Sequence, residues 1–191
     1  MSGFPQRGFP AAFQRRLRAR FRQGGLIAYP TESCFGLGCD PRNYRAVRQL
    51  LRLKRRPQAK GLILVADAFQ HLARYLAPLD GAAQRLTAAT WPGPHTWLIP
   101  ASRKTLPWLR GQHRSIAVRV TAHPVAAALS HVLNSALVST SANLAGQKPL
   151  KTQAACVRAF GNKVLVVPGK IGARKNPSTI QDLVSGKILR Q

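Results

Sequence analysis

The chain has 191 residues, 45 % of them apolar, which suits one domain with a substantial core and argues against wholesale disorder. Its 30 Lys and Arg face only five acids, Glu32, Asp40, Asp67, Asp80 and Asp182, for a formal net charge of +25. That balance favours polyanionic partners. It leaves two-metal phosphoryl transfer and paired-carboxylate glycoside hydrolysis almost nothing to build from.

In chain order, residues 1–10 carry Gly3, Pro5, Gly8 and Pro10 and read as a flexible arm. Phe13, Leu17 and Phe21 then recur every fourth residue, predicting an amphipathic helix over 11–23 that Gly24-Gly25 stops. An acid-free, Arg-rich start also fits an organelle transit peptide, but the helix leads straight into a strand at 26–29 with no cleavage-like region. Residues 30–33 read as a turn, and 34–39 as a segment whose glycines let backbone approach a ligand.

Val47, Leu50, Leu51 and Lys54 have helical spacing, so 42–53 is a predicted helix feeding the basic run Lys54-Arg55-Arg56-Pro57-Gln58-Ala59-Lys60-Gly61. Pro57 ends that helix, placing the cations on a loop before a buried strand at 61–66. Asp67 is expected to cap a helix that turns Phe69, Leu72, Ala73 and Leu76 inward. A helix at 80–90, a rigid turn at 91–94, a strand at 96–99, a basic loop at 101–115 and a strand at 116–120 follow. Then come a helix at 125–133, a short strand at 136–138, a basic helix or loop at 148–160 and strands at 164–167 and 178–182. Strands alternate with helices, and some connections are too short for crossover helices. The class is therefore α/β with a twisted, open, mixed sheet in a single domain over 11–191.

Cys34, Cys39 and Cys156 form no C-x-x-C pair and the histidines no H-x-x-x-H spacing, which argues against structural zinc or a disulfide framework. Three such thiols without an apolar leader read as reduced cysteines of a cytoplasmic protein, and no apolar run approaches the roughly 18 residues of a membrane span. No P-loop occurs, and no G-x-S-x-G surrounds Ser139 or Ser141. What remains is a set of polar clusters where predicted strands end: Thr31-Glu32-Ser33, Ser139-Thr140-Ser141-Ala142-Asn143 and Ser178-Thr179. With the basic loop and strand-borne Arg119, they predict a basic concave cleft whose hydroxyls, amide and cations grip anions beyond strand ends.

Tyr29-Pro30-Thr31-Glu32-Ser33-Cys34-Phe35-Gly36-Leu37-Gly38, Lys54-Arg55-Arg56-Pro57 with Lys60, Ser115-Ile116-Ala117-Val118-Arg119, Ser139-Thr140-Ser141-Ala142-Asn143 and Asn176-Pro177-Ser178-Thr179-Ile180 occur in this order. As a set they resemble the YrdC-like family, the threonylcarbamoyl-adenylate synthases of tRNA modification, over nearly the whole chain from about residue 11. With nothing after Arg190 for an extra C-terminal domain, the match is to the short single-domain bacterial form. The resemblance implies nucleotidyl transfer: L-threonine, bicarbonate and ATP give threonylcarbamoyl-AMP and pyrophosphate. A partner complex then moves the threonylcarbamoyl group onto the adenosine beside the anticodon of tRNA (t6A).

By motif position, Lys54 and Arg56 would serve catalysis. Arg56, Lys60, Ser115, Ser141, Asn143 and Arg190 would contact ATP, while Thr31, Arg119, Ser139 and Ser178 would hold threonine. The resemblance also implies magnesium carried by the phosphates, with no metal site of protein ligands, and contact with tRNA or other RNA. The rival reading is a non-catalytic module binding double-stranded RNA or tRNA through charge. It lacks a recognisable RNA-binding motif, and Trp91, Trp97 and Trp108 are scattered.

Overall fold

The computed structural model describes residues 8–144 and 146–190. The expected arm lies largely outside them, and its described end departs from that reading. Phe9 is buried, so the chain joins the core before Ala11.

Helix α1 (Ala11–Arg22) starts directly after Pro10 and buries Leu17 and Phe21. Strands β1 (Leu26–Pro30) and β2 (Phe35–Gly38) are buried at every position. The β2 segment, read from sequence only as glycines that let backbone approach a ligand, is a strand. Its glycines are there for space, since a Cβ on Gly38 would lie 2.4 Å from the Val138 carbonyl oxygen.

Helix α2 (Tyr44–Lys54) is capped by Asn43, whose Oδ1 accepts from the Ala46 N–H at 3.1 Å, and it ends at Arg55 in the left-handed region. Strand β3 (Ile63–Ala66) leads to a single turn, α3 (Gln70–Ala73). Asp67 does not cap that turn. Its Oδ1 accepts from Ser130 Oγ at 2.7 Å and pairs with His71 Nδ1 at 2.7 Å, while Phe69 stays exposed. Asp80 does cap α4 (Gly81–Thr90), accepting from the Ala83 N–H at 2.8 Å.

Strand β4 (His95–Pro100) is followed by a turn, α5 (Pro107–Arg110), inside what reads from sequence as loop. Strand β5 (Ser115–Val120), helix α6 (Pro124–Leu133), strand β6 (Leu137–Ser141) and helix α7 (Gln153–Phe160) come next. Strands β7 (Val164–Val166), β8 (Thr179–Asp182) and β9 (Ile188–Arg190) complete one sheet in the order β7-β1-β2-β6-β3-β5-β4-β8-β9. Pairing is mixed as expected: β1–β7, β3–β5 and β4–β8 are parallel and the other neighbours antiparallel.

The period-2 alternation of the strands divides the core. Leu26, Ala28, Leu64, Val118 and Val138 face the layer of Val47, Leu50, Leu72, Cys156 and Phe160, contributed by α2, α3 and α7. Ile27, Tyr29 and Leu137 point the other way, against Leu17 and Phe21 of α1 and Ala126 and Leu129 of α6. Each such Leu or Ile contributes about 1.5–3 kcal/mol by leaving water. On this second face the α1–α6 cover reaches β1 and β3. Beyond it, the same face lines a hollow.

Candidate functional site

Strand register dictates which residues meet in that hollow. Gly36 pairs with Ser141, Ser139 with Ile63, Ile63 with Ala117, Val65 with Arg119, and Ala117 with Leu98. Cross-strand partners share a face, so these side chains form one band across β2, β6, β3, β5 and β4. The band floors a hollow of about 500 Å³. Ser139 and Ser141 lie inside β6 rather than beyond its end, as the shorter predicted strand had it. Leu137, two residues earlier on the same face, is core.

Thr31, Arg56, Lys60, Ser115, Arg119, Ser139, Ser141, Ser178 and Arg190 all line the hollow, although the chain separates them widely. Arg119 is 8 % exposed, and its Nη2 meets Glu32 Oε2 at 3.2 Å. Its Nε is buried with no hydrogen-bond acceptor among the described residues. Thr121 Oγ1 donates to Glu32 Oε1 at 2.6 Å. Burial works to raise the Glu32 pKa, but the Arg119 charge and the Thr121 hydrogen bond outweigh it, and the carboxyl lies below its usual range. At the opposite wall, Arg190 Nε and Nη2 donate to the Ser178 carbonyl at 3.0 and 2.9 Å, and Nη2 reaches Ser178 Oγ at 3.1 Å. Burial and the neighbouring Arg119 charge lower the Arg190 pKa, as expected for cations crowded around one cavity.

Lys54 and Asn143 are not part of the lining. Lys54 sits in the last turn of α2, not on the following loop, and is 8 % exposed. Its Nζ donates to the Ser141 carbonyl at 2.7 Å, to the Asn143 carbonyl at 2.8 Å and to Asn143 Oδ1. Ser141 Oγ also donates to Asn143 Oδ1, at 2.7 Å. The ammonium thus fastens the end of β6 from behind. Burial and the Arg56 charge depress its pKa to about 8. The amphipathic pattern of α2 already held the signal, because Lys54 continues the buried series Val47, Leu50 and Leu51.

Arg110, His113 and Cys34 also line the hollow, and the two from the 101–115 loop were not assigned to it from sequence. The first two arrive by an interlock of loops. Gly61 and Gly111 both have φ near +60°. A Cβ on Gly111 would lie 2.4 Å from the Ala59 carbonyl oxygen, and one on Gly61 would lie 2.9 Å from that of Arg110. Leu62 N–H donates to the Leu109 carbonyl at 2.8 Å, closing the contact. The paired glycines are the sequence signal that Lys60 and Arg110 share one rim. Among the described residues no group of three or more His, Cys, Asp or Glu could hold a metal ion, and Glu32, the acid at the hollow, is engaged by Arg119 and Thr121.

A family model for the Sua5, YciO and YrdC proteins, described as "Telomere recombination", matches residues 19–191. The chain belongs to the Sua5/YciO/YrdC family. Within it, a threonylcarbamoyl-AMP synthase of Methylobacillus flagellatus is 55 % identical over 176 residues, 92 % of this chain and 98 % of that protein. A threonylcarbamoyl-AMP synthase of Chromobacterium violaceum is 56 % identical over 93 % of this chain and 92 % of that protein. Among solved structures, E. coli YciO superposes with a TM-score of 0.81 at 26 % identity, covering 93 % of this chain and 89 % of that one. P. abyssi Sua5 complexed with L-threonine gives 0.80 at 27 % identity over 88 % of this chain. Only 51 % of that Sua5 chain is covered, so the present chain spans about half its length. The mixed nine-stranded sheet with flanking helices is the fold of these structures.

Proposed function

We propose that this chain is a threonylcarbamoyl-AMP synthase, making threonylcarbamoyl-AMP and pyrophosphate from L-threonine, bicarbonate and ATP. One observation carries the reading: Arg119, with a buried and unspent Nε, shares a hollow with Ser139, Ser178, Thr31 and a second group of cations, Arg56, Lys60 and Arg190. Two anionic ligands can therefore lie side by side. The Arg119 guanidinium, braced by Glu32, takes the threonine carboxylate as a charge-assisted pair, and the Thr31, Ser139 and Ser178 hydroxyls orient the amino acid. Arg56, Lys60, Ser115, Ser141 and Arg190 take the nucleotide, with Lys54 and Asn143 holding Ser141 in place.

The amine of threonine forms a C–N bond with the carbon of bicarbonate, losing water to give the carbamate. A carbamate oxygen then attacks the α-phosphorus, and the bond to the bridging oxygen breaks as pyrophosphate leaves with the charge. The protein's part is positioning plus stabilisation of that charge by fixed cations, which needs no carboxylate base. Magnesium arriving with ATP would be carried by the phosphate oxygens, where it would neutralise charge on the leaving pyrophosphate.

The product is a mixed anhydride, consumed by a transferase complex acting on tRNA. A charge-only RNA-binding module would have no use for a hollow lined by hydroxyls and a buried guanidinium. The test is pyrophosphate release by the purified protein. Release that requires both threonine and bicarbonate is the expected result, and ATP turnover indifferent to threonine would overturn the reading.

A further inference from the structure

Five threonines among the described residues are buried, and four of them direct the hydroxyl proton at a carbonyl or carboxylate oxygen. Thr31 donates to the Cys34 carbonyl at 2.7 Å, Thr87 to that of Gln84 at 3.0 Å, Thr105 to that of Tyr75 and Thr121 to Glu32. Thr96 is the exception. It exposes no surface, and its Oγ1 meets a single polar group among the described residues, Ser178 Oγ at 2.9 Å. Strand pairing brings the two together. Strand β4 runs parallel to β8 with His95 opposite Thr179 and Thr96 opposite Ile180, and the Thr179 N–H donates to the Pro94 carbonyl at 3.2 Å.

The count of protons and lone pairs then fixes the polarity of Ser178. A hydroxyl carries one proton and two lone pairs. The Thr96 proton has Ser178 Oγ as its acceptor, and leaving it unpaired in a buried position is costly, so Thr96 is the donor. A guanidinium only donates, and Arg190 Nη2 reaches the same Ser178 oxygen at 3.1 Å. Both lone pairs of Ser178 Oγ are thereby filled. Its own proton is left for the occupant of the hollow that Ser178 lines. Thr31, at the same hollow, has the opposite polarity: its proton is held by Cys34, which leaves a ligand only lone pairs to meet.

We propose that Thr96 is a positioning residue, which makes Ser178 an obligate donor to a carboxylate oxygen of the bound amino acid. Thr96 does not line the hollow and acts through Ser178 alone. Ser178, with Arg190 on its far side, then presents a donor where an anionic oxygen fits and a ligand N–H does not. Thr31 presents an acceptor to the amine. The two hydroxyls thus tell one end of an amino acid from the other. The identity of the ligand rests on the synthase reading; the role of Thr96 is added to it.

The test pairs calorimetric binding of L-threonine with threonine-dependent pyrophosphate release. Thr96→Val keeps the shape of the side chain and removes the donor. It should raise both Kd and KM for threonine about five- to tenfold, with kcat within about twofold of the wild type. Thr96→Ser should restore wild-type binding, and Thr96→Val made on a Ser178→Ala background should add nothing further. Thermal melts should stay near the wild type, and Thr96→Ala removes the same donor where valine disturbs packing. Wild-type affinity in both variants without the donor would overturn the inference. So would an undiminished effect of Thr96→Val on the Ser178→Ala background, which would mark it as packing. A wild-type protein that neither binds threonine nor releases pyrophosphate with it would overturn the synthase reading, and the ligand assigned to Ser178 with it.

Discussion

Two halves of one sheet face carry opposite chemistry. Where α1 and α6 cover it, the face offers Ile27, Tyr29 and Leu137; where the cover stops, it offers Ser139, Ser141, Ser115 and Arg119. Strand β6 belongs to both, changing from leucine to serine in one step of the pleat. Helix cover thus divides the face into a part that holds the molecule together and a part that holds ligands. Substitutions should sort accordingly.

The largest separation is expected from Arg119→Ala. Threonine-dependent pyrophosphate release should fall by about three orders of magnitude, since loss of a buried charge-assisted contact removes several kcal/mol of binding and orientation. Circular dichroism should show the fold retained, and undiminished release would break the division proposed for this face. In the covered half, Leu129→Ala should do the reverse. Denaturant titration should show a loss of about 2–5 kcal/mol, while kcat/KM of the folded fraction stays near wild type.

Gly111→Ala lies between these cases. Its positive φ and the Ala59 carbonyl 2.4 Å from a Cβ predict a cost of about 1–3 kcal/mol. A raised KM for ATP should accompany it as the Lys60–Arg110 rim shifts.

The smallest effect concerns Lys54. With a folded pKa of about 8 against 10.5 for the free group, the unfolded chain binds this proton between those values and the folded chain does not. Stability owed to Lys54 should therefore rise with pH through that window, by at most about 1.4 kcal/mol per unit. Urea titrations of wild type and Lys54→Met at pH 7.5 and 9.5 should narrow the gap that favours the variant, or widen the one that favours the wild type. A pH-independent difference would show that the cage keeps Lys54 protonated throughout.

Much of the site was legible because it depends on residue type and local order. Hydroxyl clusters, a strand-borne Arg119 and a scarcity of acids point to an anion cleft without any knowledge of pairing. Strand β2 was missed because Gly36 and Gly38 lower strand propensity, and only the proximity of Tyr29 and Val138 makes glycine the residue that fits. Asp67 reads locally as a cap, yet Ser130 and His71 compete for it through tertiary contact. Lys54 reads as a loop cation until α2 is seen to turn it toward Ser141.

By itself the sequence determined the chemical inventory: few carboxylates, many cations, hydroxyls grouped near strands, and apolar periods sufficient for a mixed α/β sheet. These follow from side-chain chemistry and periodicities of two and 3.6. Only the tertiary structure decided that Arg119 faces the hollow while Lys54 stands behind its wall, and that Arg110 joins the rim. Those outcomes depend on strand register and on backbone contacts between segments distant in the chain; the buried-face position of Lys54 and the glycines at 61 and 111 mark residues involved, but not which segments meet.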